Sequence, residues 1–123
     1  MWTIYEFVDS RGVGVLESWS LQKLEHVRLN QKLDLLLQYG LTAPGLVGGP
    51  NIGKQRHIYK LKVRGDVQLR PLFCRGPRDT ETELTFLAVA TERDGQLVPA
   101  NAPQLAEFHR NQLLNGRNRR RKR

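Results

Sequence analysis

The chain has 123 residues, with 20 Lys or Arg against 12 Asp or Glu, which gives a formal net charge of +8. This length fits one domain and is too short for a barrel enzyme or a two-domain nucleotide-binding machine. One cysteine, Cys74, excludes an intramolecular disulfide and a cysteine-based metal cluster. Because no apolar stretch is long enough for a membrane span and Glu6 and Asp9 do not fit a signal peptide, we expect a soluble cytoplasmic domain.

The first third of the chain predicts a strand followed by helix. Trp2 to Val8 alternate β-branched and aromatic residues, as strands do, and the four residues that follow predict a turn. From Val13 to Tyr39, apolar residues recur at spacings of three and four, and Gly40 stands where a left-handed helix cap belongs. We predict two consecutive helices here, or one helix broken near residues 18–21, with the apolar faces on a sheet.

A loop rich in Gly and Pro follows the helical region. Its residues Gly48 to Lys54 match the G-x-x-x-x-G-K pattern of phosphate-binding loops. That motif continues with Ser or Thr and opens a helix, whereas Gln55 stands at this position and the residues after it predict a strand. We therefore interpret the segment as a connection between helix and strand.

The rest of the chain predicts a sheet and a closing helix. Three strand candidates are residues 58–64, 67–74 and 83–91, the last of them apolar enough to be covered on both faces. Pro103 to Leu114 predicts a helix with Leu105, Phe108 and Leu113 on its buried side. The predicted fold is α+β, in the order β-α-α-β-β-β with a C-terminal helix. Its sheet is mainly antiparallel and packs against two helices in a single domain of residues 1–114.

The end of the chain is strongly basic. Six of the last seven residues are Arg or Lys. Like charges repel and leave nothing to bury, so residues 115–123 predict a disordered basic tail. Two interpretations stay open. The tail is either an arm that neutralises RNA or DNA phosphates, with Arg119, Arg120 and Arg121 as RNA-binding residues, or a solvated terminus without a fixed partner.

A second concentration of positive charge falls on the predicted sheet. Lys60, Lys62 and Arg64 share one face of their strand, because alternate side chains of a strand point the same way. Such a face positions a nucleic-acid backbone and stabilises the pentacovalent phosphate of RNA cleavage, although a solvated sheet face shows the same pattern. The candidate RNA-binding residues of this region are Lys54, Arg56, Lys60, Arg64 and Arg75.

The spacing of the histidines does not predict a metal site. His26, His57 and His109 are far apart in sequence, with no carboxylate or cysteine at ligand spacing. We therefore expect neither a metal nor another cofactor. His57, at the start of the basic strand, is the histidine we consider for catalysis.

Short motifs along the chain resemble phage-derived HigB-like proteins of the RelE/ParE toxin superfamily. The resemblance covers nearly all of residues 2–114 and rests on the order of elements. Its motifs lie in residues 5–12, 15–19, 35–40, 57–63 and 68–73.

The resemblance implies the toxin of a type II toxin–antitoxin pair, an mRNA endoribonuclease that acts in the ribosomal A site with basic residues in place of a metal. It also implies three partners: mRNA, the ribosome and a cognate antitoxin, expected to be a helix-turn-helix protein. Catalytic candidates are then Lys62, Arg70 and Arg93, which would stabilise phosphate charge, with His57 as the candidate acid or base.

The sequence departs from this family near its last strand. Where the family usually has His-Gly-Phe-x-Lys-Lys, Ala88 replaces the His and Glu92 replaces one Lys. The family's histidine is therefore absent as a general acid or base. The departure favours an alternative class, a non-catalytic phage-derived accessory protein or a gyrase-inhibiting ParE-like binding protein. A plain nucleic-acid-binding domain is a third interpretation.

Overall fold

The computed structural model describes residues 2–117 and 119–123. Met1 and Asn118, which belong to the predicted domain and tail, lie outside the described residues. A large sheet carries one helix on each face, and a smaller sheet lies beside it, so the α+β class with two helices is confirmed. Within the described residues, no helix is both long and apolar enough to cross a membrane.

The elements are numbered in chain order. The helices are α1 (Lys23–Tyr39) and α2 (Ala102–Leu114), and a 3-10 turn, Gly40–Thr42, follows α1. The strands are β1 (Thr3–Val8), β2 (Val47–Gly48), β3 (Tyr59–Leu61), β4 (Gln68–Leu69), β5 (Leu72–Arg75), β6 (Glu83–Ala88), β7 (Thr91–Arg93), β8 (Gln96–Val98) and β9 (Arg119–Lys122).

The sheets are mostly antiparallel, as predicted. The large sheet has the order β2-β3-β5-β6-β1-β9, in which β1 and β6 are parallel and the other neighbours antiparallel. The small sheet has the order β4-β7-β8. The predicted strand over 67–74 is divided between the two sheets at Arg70 and Pro71, since proline has no amide to donate to a ladder. The predicted strand over 83–91 likewise divides into β6 and the start of β7.

The two helices cover opposite faces of the large sheet. Leu29, Leu33 and Leu36 of α1 pack with Ile4 and Phe86, among other buried residues. The buried side of α2 packs instead with residues that point the other way on the same strands, namely Phe7, Leu72, Cys74 and Leu87. Neighbouring strand residues face opposite sides, so the central strands β1, β5 and β6 are covered on both faces. Between β1 and β2 the described residues form one α-helix, α1, and residues 13–22 are not helical, so both predicted forms, two consecutive helices and one helix broken near residues 18–21, are wrong.

The first helix is shorter than its periodicity predicts, because residues 13–22 form turns. The amides of Leu16 and Glu17 donate to the Glu6 carboxylate at 3.0 and 3.2 Å, instead of to helical carbonyls. Gly14 passes so close to this carboxylate that a β-carbon would not fit. The helix then begins beyond Gln22 and ends at Gly40, whose φ of 61° agrees with the predicted cap.

The last helix has the predicted extent but a different buried side. Leu105 and Phe108 are exposed, so their predicted burial is wrong, whereas Ala102, Ala106 and Leu113 are buried. The two alanines let α2 approach the sheet closely. His109 fills the next space, with its ring stacked on Phe7 at 3.9 Å between centroids and its Nδ1 2.6 Å from the Leu87 carbonyl oxygen.

The basic segment at the end of the chain forms β9, so the prediction of a disordered tail is wrong. It pairs antiparallel with β1 and places Arg121 opposite Glu6, a fully buried carboxylate. Arg121 and Arg123 lie 3.4 and 3.1 Å from Glu6 Oε2. Each of these arginines meets a carboxylate, and this pairing offsets the repulsion between like charges on which the prediction relied.

Candidate nucleic-acid interface

The predicted basic face of the sheet contains a partly buried ion cluster. Lys60 Nζ lies 3.0 Å and Arg70 Nε 3.4 Å from Glu92 Oε1. Arg70 is 5% exposed and also donates to the Leu69 carbonyl at 2.9 Å. The hydrogen bond from Lys60 lowers the pKa of Glu92, whose negative charge is therefore present at neutral pH. We call these three residues the paired cluster.

The paired cluster joins the two sheets. Its carboxylate, Glu92, pairs with two basic residues that were predicted to contact RNA. Lys60 and Glu92 line a cavity of about 410 Å³ whose other lining residues, such as Asn51 and Gln96, are uncharged. Glu92 compensates one of the two cations, and the backbone carbonyls hold Arg70 in place. Arg70 is therefore placed as a structural residue and not as the predicted phosphate contact.

The other predicted residues of this face do not form a site with Arg70. Lys62 is half-buried and lies with Lys60 over Gly48, where both side chains occupy the space of a β-carbon. Arg64 and Arg93 are exposed and line neither the cavity above nor the one described next. The predicted catalytic set of Lys62, Arg70 and Arg93 is thus dispersed over a buried, a half-buried and an exposed position.

A different cavity is lined by several basic side chains. It has a volume of about 280 Å³ and lies where β3 begins, β5 ends and α2 passes. We call it the arginine pocket. Its lining residues are Pro50, Arg56, His57, Tyr59, Arg75, Thr80, Glu81 and Arg110. Three of the predicted residues, Arg56, His57 and Arg75, are therefore brought together here.

Arg75 is held in place by the loop that follows β5. Its Nε donates to the Thr80 carbonyl at 2.8 Å, and its guanidinium lies 5.8 Å from the centre of the Trp2 ring. The terminal nitrogen Nη2 is 3.8 Å from Glu81, whose side chain is 83% exposed, so this ion pair is weak. The guanidinium is thus oriented by backbone, and its terminal nitrogens stay accessible to a ligand in the cavity.

Arg110 is the residue of this site that the sequence-based prediction missed. It lies on α2, 3.6 Å from Glu107, and its buried Nε has no hydrogen-bond partner within the described residues, as is also true of Arg70 Nε. One signal could have found it. Ala106, Arg110 and Leu113 follow the helical spacing of four and three, so an arginine stands on a face that packs against the sheet. An arginine in that place has donors that the protein does not satisfy.

His57 and Tyr59 bring groups that exchange protons. Tyr59 is half-buried and its ring is stacked on Phe73 at 5.4 Å, which fixes its direction. His57 is exposed at the mouth of the cavity. Lys54 joins Arg56, His57 and Arg110 around an adjoining cavity of about 290 Å³, which Glu107, the partner of Arg110, also lines. The basic side chains there outnumber the one carboxylate.

The basic strand β9 uses its arginines differently. Arg120 lies 2.9 Å from Glu83, and Arg121 lies 3.2 Å from Glu17, whose hydrogen bond raises the pKa of Arg121. These two predicted RNA-binding residues are therefore engaged with carboxylates. Arg119, in contrast, is exposed.

Comparison with protein-family models, with curated proteins and with solved structures finds no significant match to this chain. Among residues 2–117 and 119–123, no group of three His, Cys, Asp or Glu side chains is placed to hold a metal ion. The arginine pocket is therefore the candidate functional site on its geometry.

Proposed function

We propose that the protein is an RNA-binding, metal-independent endoribonuclease that holds a backbone phosphate in the arginine pocket. The convergence of Arg56, Arg75 and Arg110 on one open cavity, with His57 and Tyr59 in its wall, carries the proposal. Guanidinium groups match phosphate oxygens in charge and geometry, and arginine is over-represented where phosphate is recognised.

The residues of the pocket supply each group that RNA cleavage requires. His57 takes the proton of a ribose 2′-hydroxyl, and the 2′-oxygen forms a bond to the adjacent phosphorus. The bond from phosphorus to the 5′-oxygen breaks, and Tyr59 donates a proton to that leaving oxygen. The arginines stabilise the additional negative charge of the pentacovalent phosphate between these steps. The products are a 2′,3′-cyclic phosphate and a 5′-hydroxyl end.

In the cell, the proposed role is that of a type II toxin in the cytoplasm. Its targets are mRNA and the ribosome, and a cognate antitoxin with a helix-turn-helix domain restrains it. The support for these partners is the resemblance of the sequence motifs to HigB-like proteins, together with an α+β fold that is compatible with it.

Induced expression tests the proposal. Expression of the wild-type chain should arrest growth and produce new mRNA 5′ ends, while expression of an Arg75→Ala/Arg110→Ala variant should leave transcripts intact. The variant should accumulate to the same level, which separates activity from folding. Intact transcripts and normal growth with the wild-type chain would contradict the proposal.

A second candidate function is favoured by the paired cluster. Glu92 neutralises cations that the resemblance assigns to phosphate, and Ala88 stands where the family has histidine. A non-catalytic accessory protein or a gyrase inhibitor on the same fold would tolerate both changes. It predicts no RNA cleavage by the purified protein, and, for the gyrase inhibitor, loss of DNA supercoiling when the protein is added to gyrase.

A further inference from the structure

A second basic cavity lies beside the arginine pocket, where β9 joins the large sheet. It has a volume of about 320 Å³. Its lining residues are Tyr5, Pro77, Arg78, Leu113, Arg119 and Arg120. We call it the β9 cavity. No residue of the arginine pocket belongs to it, so the two are separate sites.

One arginine builds the wall of the β9 cavity. Arg120 lies 2.9 Å from Glu83, and its guanidinium carbon lies 3.8 Å from the centre of the Tyr5 ring. It also donates to the Thr85 hydroxyl at 3.3 Å. With one carboxylate, one hydroxyl, the Gly76 carbonyl and one aromatic face as partners, Arg120 has a fixed orientation and few donors left for a ligand.

The other two arginines of the β9 cavity are available to a ligand. Arg78 and Arg119 are exposed, and neither forms an ion pair within the part of the chain that the structure describes. Pro77 and Leu113 contribute apolar surface to the same cavity. Two accessible guanidinium groups above an apolar floor fit a phosphate joined to a sugar, because the floor packs against the sugar while the cations bind the phosphate.

The β9 cavity and the arginine pocket are close along two elements. The last residue of β5, Arg75, lines the pocket, and Arg78 in the loop that follows lines the β9 cavity; three residues span at most about 11 Å. On α2, Arg110 lines the pocket and Leu113 the β9 cavity, one helical turn apart. A single strand of a few nucleotides therefore reaches from one cavity to the other.

We propose that the β9 cavity binds a second backbone phosphate of the same RNA strand, through Arg78 and Arg119. This inference rests on the proposed function of the arginine pocket, and it extends the site from one phosphate to a track along α2. The basic strand β9 is then a fixed wall of the binding site. RNA is the polyanion that this arrangement fits, since the two cavities follow one another at the spacing of a short chain.

The test measures RNA affinity at several salt concentrations, without relying on cleavage. The probes are a fluorescent 2′-O-methyl RNA of twelve nucleotides, which cannot be cleaved, and a dinucleotide of the same chemistry used as a competitor, whose single phosphate cannot occupy both cavities. The variant is Arg78→Gln/Arg119→Gln. The matched control is Lys23→Gln/Lys32→Gln, which removes two charges from α1 on the opposite face of the sheet.

The Arg78→Gln/Arg119→Gln variant should bind the long probe about tenfold more weakly, because two charge-assisted contacts are lost. The slope of log K against log salt should fall by about 1.4, since each neutralised phosphate of a single strand contributes about 0.7. Affinity for the dinucleotide should not change, and the control should keep the slope of the wild type. If the double variant does not fold, Arg78→Gln alone should lower the slope by about 0.7.

An unchanged slope in the Arg78→Gln/Arg119→Gln variant overturns the inference, as does an equal loss in the α1 control. The proposed function fails by a different result, namely that an all-ribose probe is bound but stays intact. Equal competition by polyacrylate, an anion without the sugar-phosphate repeat, contradicts RNA as the ligand.

Discussion

The paired cluster and the arginine pocket are both built from basic residues near β3 and β5, yet their environments differ. In the paired cluster, Arg70 is 5% exposed and faces a carboxylate and backbone carbonyls. In the arginine pocket, Arg75 is fixed by one carbonyl while its terminal nitrogens border an open cavity. Charge that is already compensated holds a fold together, whereas oriented and accessible charge binds a ligand.

The largest expected effect is a loss of RNA cleavage when a residue of the arginine pocket is substituted. His57→Ala should lower the rate of RNA cleavage by about 10²–10⁴-fold, the usual contribution of an acid or base. Its thermal midpoint should stay that of the wild type, because His57 is exposed. The control is Arg64→Ala, an exposed cation outside the pocket, which should cleave at the wild-type rate. Equal losses in both variants would remove the distinction between the regions.

The next effect concerns stability. Arg70→Ala should lower the free energy of unfolding by about 3 kcal/mol, because it removes a buried side chain, one of the two cationic partners of Glu92 and the second donor to the Val63 and Leu69 carbonyls. Arg56→Ala should change it by less than about 0.5 kcal/mol, as exposed substitutions do. Urea denaturation of the two variants checks this. A more destabilised Arg56 variant would show that the assigned roles are reversed.

A third prediction extends the comparison to β9. Arg121→Ala/Arg123→Ala should cost about 2 kcal/mol of unfolding free energy, since the buried Glu6 carboxylate loses both of its arginine partners. Arg119→Ala/Lys122→Ala removes the same number of charges from exposed positions of this segment and should cost less than about 0.5 kcal/mol. Chemical denaturation distinguishes the pairs, and equal costs would contradict a specific role for Glu6.

The smallest effect is a pH dependence. The pKa of Glu92 is lowered in the folded state by the hydrogen bond from Lys60, so its ionised form stabilises the fold. This stabilisation is complete above the pKa of the unfolded chain and is lost as the pH falls through the folded pKa. Between neutral pH and about pH 3, the wild type should therefore lose more stability than Glu92→Gln, as measured by urea midpoints. Parallel curves would count against the ion cluster.

The sequence predicted local elements better than the relations between them. The strand at Trp2 to Val8 and the helix ending at Gly40 follow from alternation and from a cap, which are properties of neighbouring residues. The start of α1 and the pairing of β9 did not follow, because both depend on the Glu6 carboxylate. No local pattern shows that one buried acid binds amides ten residues later and arginines at the far end of the chain.

The sequence predicted several residues of the site, but it did not predict which of them lie together in the fold. Arg56, His57 and Arg75 were predicted as separate candidates, and the fold brings them to one cavity. Lys60 was predicted to bind RNA and Arg70 to stabilise phosphate charge in catalysis, but the small sheet places Glu92 between them. The sequence does indicate that Glu92 replaces a lysine of the resembled family. Only the pairing of β4 with β7 shows which cations that carboxylate neutralises.

Arginine modification with and without RNA tests the central claim most directly. Phenylglyoxal reacts with accessible arginines, and mass spectrometry locates the modified residues. Bound 2′-O-methyl RNA should protect Arg56, Arg75 and Arg110, whereas Arg70 should resist modification in both states because it is buried. Reactive Arg70 that RNA protects, with no change at Arg75 and Arg110, would contradict the account and place the phosphate at the paired cluster.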